Sequence, residues 1–104
     1  MSISLVYVTT SSAAQARRIG LALIEDRMAG CVNILDGMRS IYRWNGEIEE
    51  DQEAILIIKT RSILVEAVIA RVGELHDADT PCILEIAVKG GNKAFLDWVE
   101  SETA

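Results

Sequence analysis

Ser40-Ile41-Tyr42-Arg43-Trp44-Asn45-Gly46-Glu47-Ile48-Glu49 is the stretch that decides the fold. Asn-Gly is the pair favoured in a two-residue type I′ turn, where both central residues need positive φ, and here β-branched and aromatic residues flank it. Two long antiparallel strands joined at Asn45-Gly46 are therefore predicted. On the first arm, Asp36-Gly37 interrupts the strand-like run between Cys31-Val32-Asn33-Ile34-Leu35 and Met38, which reads as a bulge or bend. On the second arm the outer part is acidic, with Glu47, Glu49, Glu50 and Asp51. The inner part, Ala54-Ile55-Leu56-Ile57-Ile58, is apolar at every position, the pattern of a strand buried on both faces. Such a hairpin protrudes from a single subunit, and its acidic residues read as solvated charge that keeps a strand edge from aggregating.

Outward from the hairpin, Ile3 to Thr10 is β-branched and aromatic and reads as a first strand. Ser12 with Gln15 makes a capping box for a helix whose stripe is Ala16, Ile19, Gly20, Leu23, Ile24 and Met28, with Gly30 placed to end it. Ser62 is placed to cap a second helix with the stripe Leu64, Val65, Val68, Ile69, Val72 and Leu75, ending near His76. Pro81 closes the following loop, Cys82 to Val88 reads as a fourth strand, and Gly90-Gly91 stops it. A short helix from Asn92 brings Phe95, Trp98 and Val99 to one face, and the tail from Glu100 to Ala104 is expected to fray. The order β-α-β-β-α-β plus a short helix is the split βαβ arrangement of an α+β, ferredoxin-like fold: one antiparallel sheet with two helices on one face. An apolar run facing both ways, with helices on only one side, asks for a cover over the other face; self-association is the economical one.

One domain, residues 1–104, accounts for the whole chain. Its formal charge of -6 repels phosphate backbones and anionic lipid, which argues against nucleic acid and membrane partners. The longest uninterrupted apolar run, Ala54 to Ile58, is far too short to span a bilayer, and Met1 to Thr10 has no basic region ahead of its apolar residues, so a cytoplasmic protein is expected. Cys31 and Cys82 fit neither a disulfide scaffold nor a Cys-x-x-Cys motif, and free thiols are expected. There is no Gly-rich phosphate loop, no Gly-x-Ser-x-Gly elbow and a single histidine, so the chain does not read as an enzyme.

Three segments carry a family likeness: Ala29-Gly30-Cys31-Val32-Asn33-Ile34, then Ser40 through Glu50, then Ile57-Ile58-Lys59-Thr60-Arg61. Together with Glu74-Leu75-His76, Thr80-Pro81, Gly91-Asn92 and Leu96-Asp97-Trp98-Val99, the chain resembles the CutA divalent-cation tolerance proteins over nearly its whole length. The resemblance implies a homotrimer of P-II-like architecture, packed sheet to sheet with hairpins reaching onto neighbours, and binding of copper or other divalent metal ions near subunit boundaries. No obligatory cofactor is implied. The ligands proposed in that family are a cysteine near the end of strand one, a histidine before the Thr-Pro loop and a glutamate after the proline. Here the first position carries Val8, the second falls on His76 or Leu75, and the third is Cys82.

Two sets of candidate residues follow. His76 and Cys82 bracket a loop with Asp77 and Asp79, so imidazole, thiolate and carboxylate could gather around zinc or copper; the plainer reading is a histidine favoured at a helix C-terminus and a small buried cysteine. Tyr42, Trp44, Lys59 and Cys31 are candidates for an inter-subunit cleft, set against interface packing for the aromatics, an end-of-strand cation for Lys59 and plain burial for Cys31. A metal-free, P-II-like small-molecule sensor or scaffold is the alternative function.

Overall fold

The computed structural model describes residues 2–104. The elements are β1 (Ile3–Thr10), α1 (Ala13–Glu25), β2 (Cys31–Trp44), β3 (Glu47–Arg61), a 3₁₀ turn (Ser62–Leu64), α2 (Val65–Leu75), β4 (Ile83–Ala87) and α3 (Lys93–Glu102). The strands form one antiparallel sheet in the order β2-β3-β1-β4, as the split βαβ reading requires. Asn45 and Gly46 have φ of 50° and 80°, so the turn has the positive dihedrals its dipeptide predicted. Beyond it the hairpin extends the molecule to 45 Å along its longest axis, against 26 and 23 Å along the others.

The core lies between α1, α2 and one sheet face. Val6, Val8, Leu56 and Ile58 from the strands meet Ala16, Ile19 and Leu23 of α1 and Val65, Val68 and Val72 of α2, all essentially removed from water. Gly20 lets α1 approach closely, because a Cβ there would lie 2.9 Å from Val32 Cγ2 and 3.3 Å from Leu56 Cδ1. The run Ala54 to Ile58 is not buried on both faces in this chain: Ala54, Leu56 and Ile58 are buried, whereas Ile55 and Ile57 are half-buried. Alternation sends the latter pair to the face the two helices leave open.

Several local expectations are corrected. The first helix ends at Glu25 rather than at Gly30: Arg27 takes φ 57°, and the Met28 and Arg27 amides donate to the Leu23 and Ile24 carbonyls, a Schellman closure with an arginine at the left-handed position. Gly30 serves packing instead, since its Cβ would sit 3.1 Å from the Val99 backbone. Ser62 caps nothing; its hydroxyl pairs with the Ser4 hydroxyl at 2.7 Å, and a 3₁₀ turn leads into α2. The C-terminal tail is ordered into the fold, because α3 runs to Glu102, Thr103 is buried and accepts a 2.9 Å bond from Arg61 Nε, and the Ala104 amide donates to the Arg27 carbonyl. These are partners distant in sequence, which a local reading of the last residues does not see.

Candidate functional site

The open face is built by pairing, since residues opposed across strands point the same way. Cys31, Lys59, Leu5 and Ile86 form one row; Asn33, Ile57, Tyr7 and Leu84 form the next; Leu35, Ile55 and Thr9 form a third. Leu35 is 51 % and Leu84 57 % exposed, large apolar side chains left to water on the two edge strands. One end is overlain by α3: Lys59 Nζ lies 5.3 Å from the centre of the Phe95 ring and Arg61 reaches Thr103.

At the other end the hairpin leaves the sheet. The β2–β3 register shifts between Leu35 and Met38, so one extra residue is taken up at Asp36-Gly37, where Gly37 has φ +75°. With the extra residue absorbed, Met38 opposes Glu53, and Met38, Ser40, Tyr42 and Trp44 stand on the open-face side. The Tyr7 hydroxyl to Met38 Sδ contact of 3.6 Å fixes that sidedness. Glu47, Glu49, Asp51 and Glu53, opposing or diagonal to them, give this side of the hairpin four carboxylates. The Tyr42 hydroxyl donates to Asp51. That bond, with the negative field of Asp51, Glu49 and Glu53, pushes the Tyr42 phenol up to about 12.

Facing the hairpin is the loop 76–82. His76 closes α2, its amide donating to the Val72 carbonyl, and then turns to extended backbone. Its side chain is 4 % exposed and fully engaged: Nδ1 accepts from the Ala78 amide at 3.0 Å, which leaves Nε2–H to donate to the Thr9 carbonyl at 2.8 Å. The imidazole thus ties the loop to the end of β1. Asp77, next to it, accepts from Ser11 Oγ at 3.2 Å, and its carboxyl is held below the usual range by the Gln15 amide first and the Ser11 hydroxyl after it. The buried Gln15 Nε2 makes no bond within hydrogen-bond geometry, so its influence on Asp77 is that of a nearby dipole.

Loop and hairpin enclose a cleft of about 460 Å³ lined by Thr9, Ser40, Tyr42, Trp44, Glu53, His76, Ala78, Asp79, Thr80, Pro81 and Cys82. Four sequence candidates, Tyr42, Trp44, His76 and Cys82, therefore share one cleft. The other two do not: Cys31 and Lys59 sit four residues back along the sheet, about 13 Å away at strand rise, with Lys59 Nζ 3.7 Å from the half-buried Cys31 Sγ. Both cysteines are free thiols. Val8 faces the helix-side core, opposite the open-face side where Thr9 and the cleft lie. Glu53 is the cleft residue sequence reading missed; the signal was its alternation with Ile55 and Ile57 carried past the bulge. Among the described residues no three His, Cys, Asp or Glu side chains converge as a metal cage, and with both imidazole nitrogens bonded the donors present in one chain do not fit a metal ion as they stand. No helix among them is long and apolar enough to cross a membrane.

Comparison with known proteins places these features in context. The sequence model of the family described as CutA1 divalent ion tolerance protein matches residues 4–102. A curated relative, the divalent-cation tolerance protein CutA of Thermus thermophilus, is 43 % identical over 98 residues, covering 94 % of this chain and 95 % of the relative. The chloroplastic protein CutA 1 of Oryza sativa is 38 % identical over 98 residues, and the chain spans about half its length, 55 %. The crystal structure of CutA from Xylella fastidiosa superposes with a TM-score of 0.97 at 35 % identity, covering 100 % of both chains.

Proposed function

The chain belongs to the CutA1 divalent ion tolerance family, and from that premise we propose that it acts as a single non-enzymatic CutA-like domain, a cytoplasmic homotrimer of P-II-like design that binds copper or another divalent metal ion. What carries the reading is the family match, with His76, Cys82, Glu53 and Asp79 all lining one cleft though not converging within a single chain. A thiol, an imidazole and two carboxylates suit a borderline or soft divalent ion. Binding there requires His76 Nε2 to exchange the Thr9 carbonyl for the metal, or donors from a neighbouring subunit. Assembly is supported by the open face: Leu35 on one edge strand and Leu84 and Ile86 on the other are each about half exposed, so apolar side chains of that face meet water at both edges of the sheet. Cys31 and Lys59 fall under such a cover and Tyr42 and Trp44 at its margin.

Native mass spectrometry with and without added copper and zinc tests both parts. A trimer that gains three ions, and loses them in Cys82→Ser combined with His76→Ala, is the expected result; a monomer overturns the assembly reading and a metal-free trimer the metal reading. The complete bonding of His76 favours, as a second reading, a trimeric small-molecule sensor or scaffold without a metal site.

A further inference from the structure

We propose that the cleft between the hairpin and the 76–82 loop binds a small organic ammonium cation, held against Trp44 and Tyr42 and neutralised by Glu53 and Asp79. The inference concerns the cleft alone and stands whether or not the metal reading does. Its volume of about 460 Å³ falls in the range of small-ligand sites, roughly 300–1,000 Å³. Two carboxylates and no lysine or arginine line it, and the one titratable base, His76, is bonded as the neutral imidazole. The aromatics are placed rather than loose: the bulge puts both on the cleft side and the bond to Asp51 fixes the Tyr42 hydroxyl. The field is negative at that spot, since Asp51, Glu49 and Glu53 all act on the Tyr42 phenol. Trp44 is 52 % exposed and lines the cleft, so part of the indole is within a ligand's reach.

An aromatic wall beside unpaired carboxylates selects a cation that is large, weakly hydrated and apolar at its surface. A quaternary or alkyl ammonium gains both ring-quadrupole attraction and Coulomb attraction there, with apolar contact from Pro81 and Ala78. An anion meets repulsion, and a neutral ligand of the same shape forgoes the two charge contributions. A divalent metal ion would draw on the thiol and imidazole rather than on the rings, which separates this ligand class from the metal considered above.

The test uses choline as the probe, its neutral carbon isostere as the control, and Trp98→Phe protein so that Trp44 alone reports by fluorescence. The expected result is saturable displacement of Trp44 emission by choline at millimolar concentration or below, and binding of the isostere weaker by roughly tenfold. Salt should weaken choline binding. Glu53→Gln should weaken it a few-fold, and Trp44→Ala, read by calorimetry, roughly tenfold, while Trp44→Phe keeps most of the affinity and guards against a folding artefact. Equal binding of choline and isostere, unchanged affinity in Glu53→Gln and Trp44→Ala, or no binding at millimolar choline overturns the proposal. A Trp44 response to zinc without one to choline also overturns it while leaving the metal reading intact.

Discussion

Replacing His76 by alanine separates a structural histidine from one held ready for a ligand. The imidazole makes two bonds to backbone, to the Thr9 carbonyl at 2.8 Å and from the Ala78 amide at 3.0 Å, with the ring almost wholly buried. Each such bond contributes about 0.5–1.5 kcal/mol net, and emptying the ring's place adds a packing loss, so the substitution is expected to cost about 2–3 kcal/mol. For a domain of this size that lowers Tm by roughly 10–20 °C. Urea unfolding followed by circular dichroism, with chelator present and at matched protein concentration, measures it free of bound metal and of mass-action effects of assembly. His76→Asn retains an acceptor two residues before the Ala78 amide and should recover about half the loss, because it cannot also reach Thr9. A His76→Ala protein within about 0.5 kcal/mol of the parent, with an unchanged denaturant slope, would refute the latch and free the imidazole for ligation.

Tyr42 should ionise near 12 in an absorbance titration, and lower, toward the ordinary 10.0, in Asp51→Asn, where burial and the charges of Glu49 and Glu53 still act on the phenol. The raised value means that this pair's contribution is fully present below 10.0 and is lost as pH rises through about 12; ionisation near 10.0 in the parent protein would exclude the bond in solution. Asp77 has the opposite sign: its lowered value stabilises the fold above the ordinary 3.8 and loses that effect as pH falls through the folded value. The Tm gap between the parent and Asp77→Asn should accordingly be flat near neutrality and close in acid, and a gap independent of pH would rule this out. Gly20→Ala puts a methyl 2.9 Å from Val32 Cγ2 and should destabilise by about 1–3 kcal/mol in denaturant unfolding, against the helix-propensity gain expected of that change on a free surface.

Turn chemistry was legible because it is local: Asn45-Gly46 dictates its own dihedrals, and the strands on either side inherit their pairing from it. The helical stripes were legible for the same reason, and Ala16, Ile19, Leu23, Val65, Val68 and Val72 all reached the core. What escaped was set by partners far along the chain. Nothing around Glu100 foretells that Thr103 meets Arg61, nor anything around Gly30 that Val99 lies over it. The cleft shows the same division. His76 and Cys82 stood out as residue types and Tyr42 and Trp44 as aromatics, but that all four share a cleft with Glu53 depends on the pairing absorbing an extra residue as a bulge at Asp36-Gly37 instead of carrying it along the arm, which is a property of the paired strands. Cys31 and Lys59 fell away from that group because register, and not residue chemistry, assigns them to the far end of the face.

That extra residue also makes the hairpin a separately indexed part. The tip takes its alignment from the Asn45-Gly46 turn and the base from the sheet, and the slack between the two countings is stored at Asp36-Gly37. Removing Gly37 would take up the slack without rotating Tyr42 or Trp44 away from the cleft, because each remains opposite the same β3 residue. The joint thus works like an expansion gap: arm length can drift by a residue through insertion or deletion while the groups aimed at the loop keep their aim.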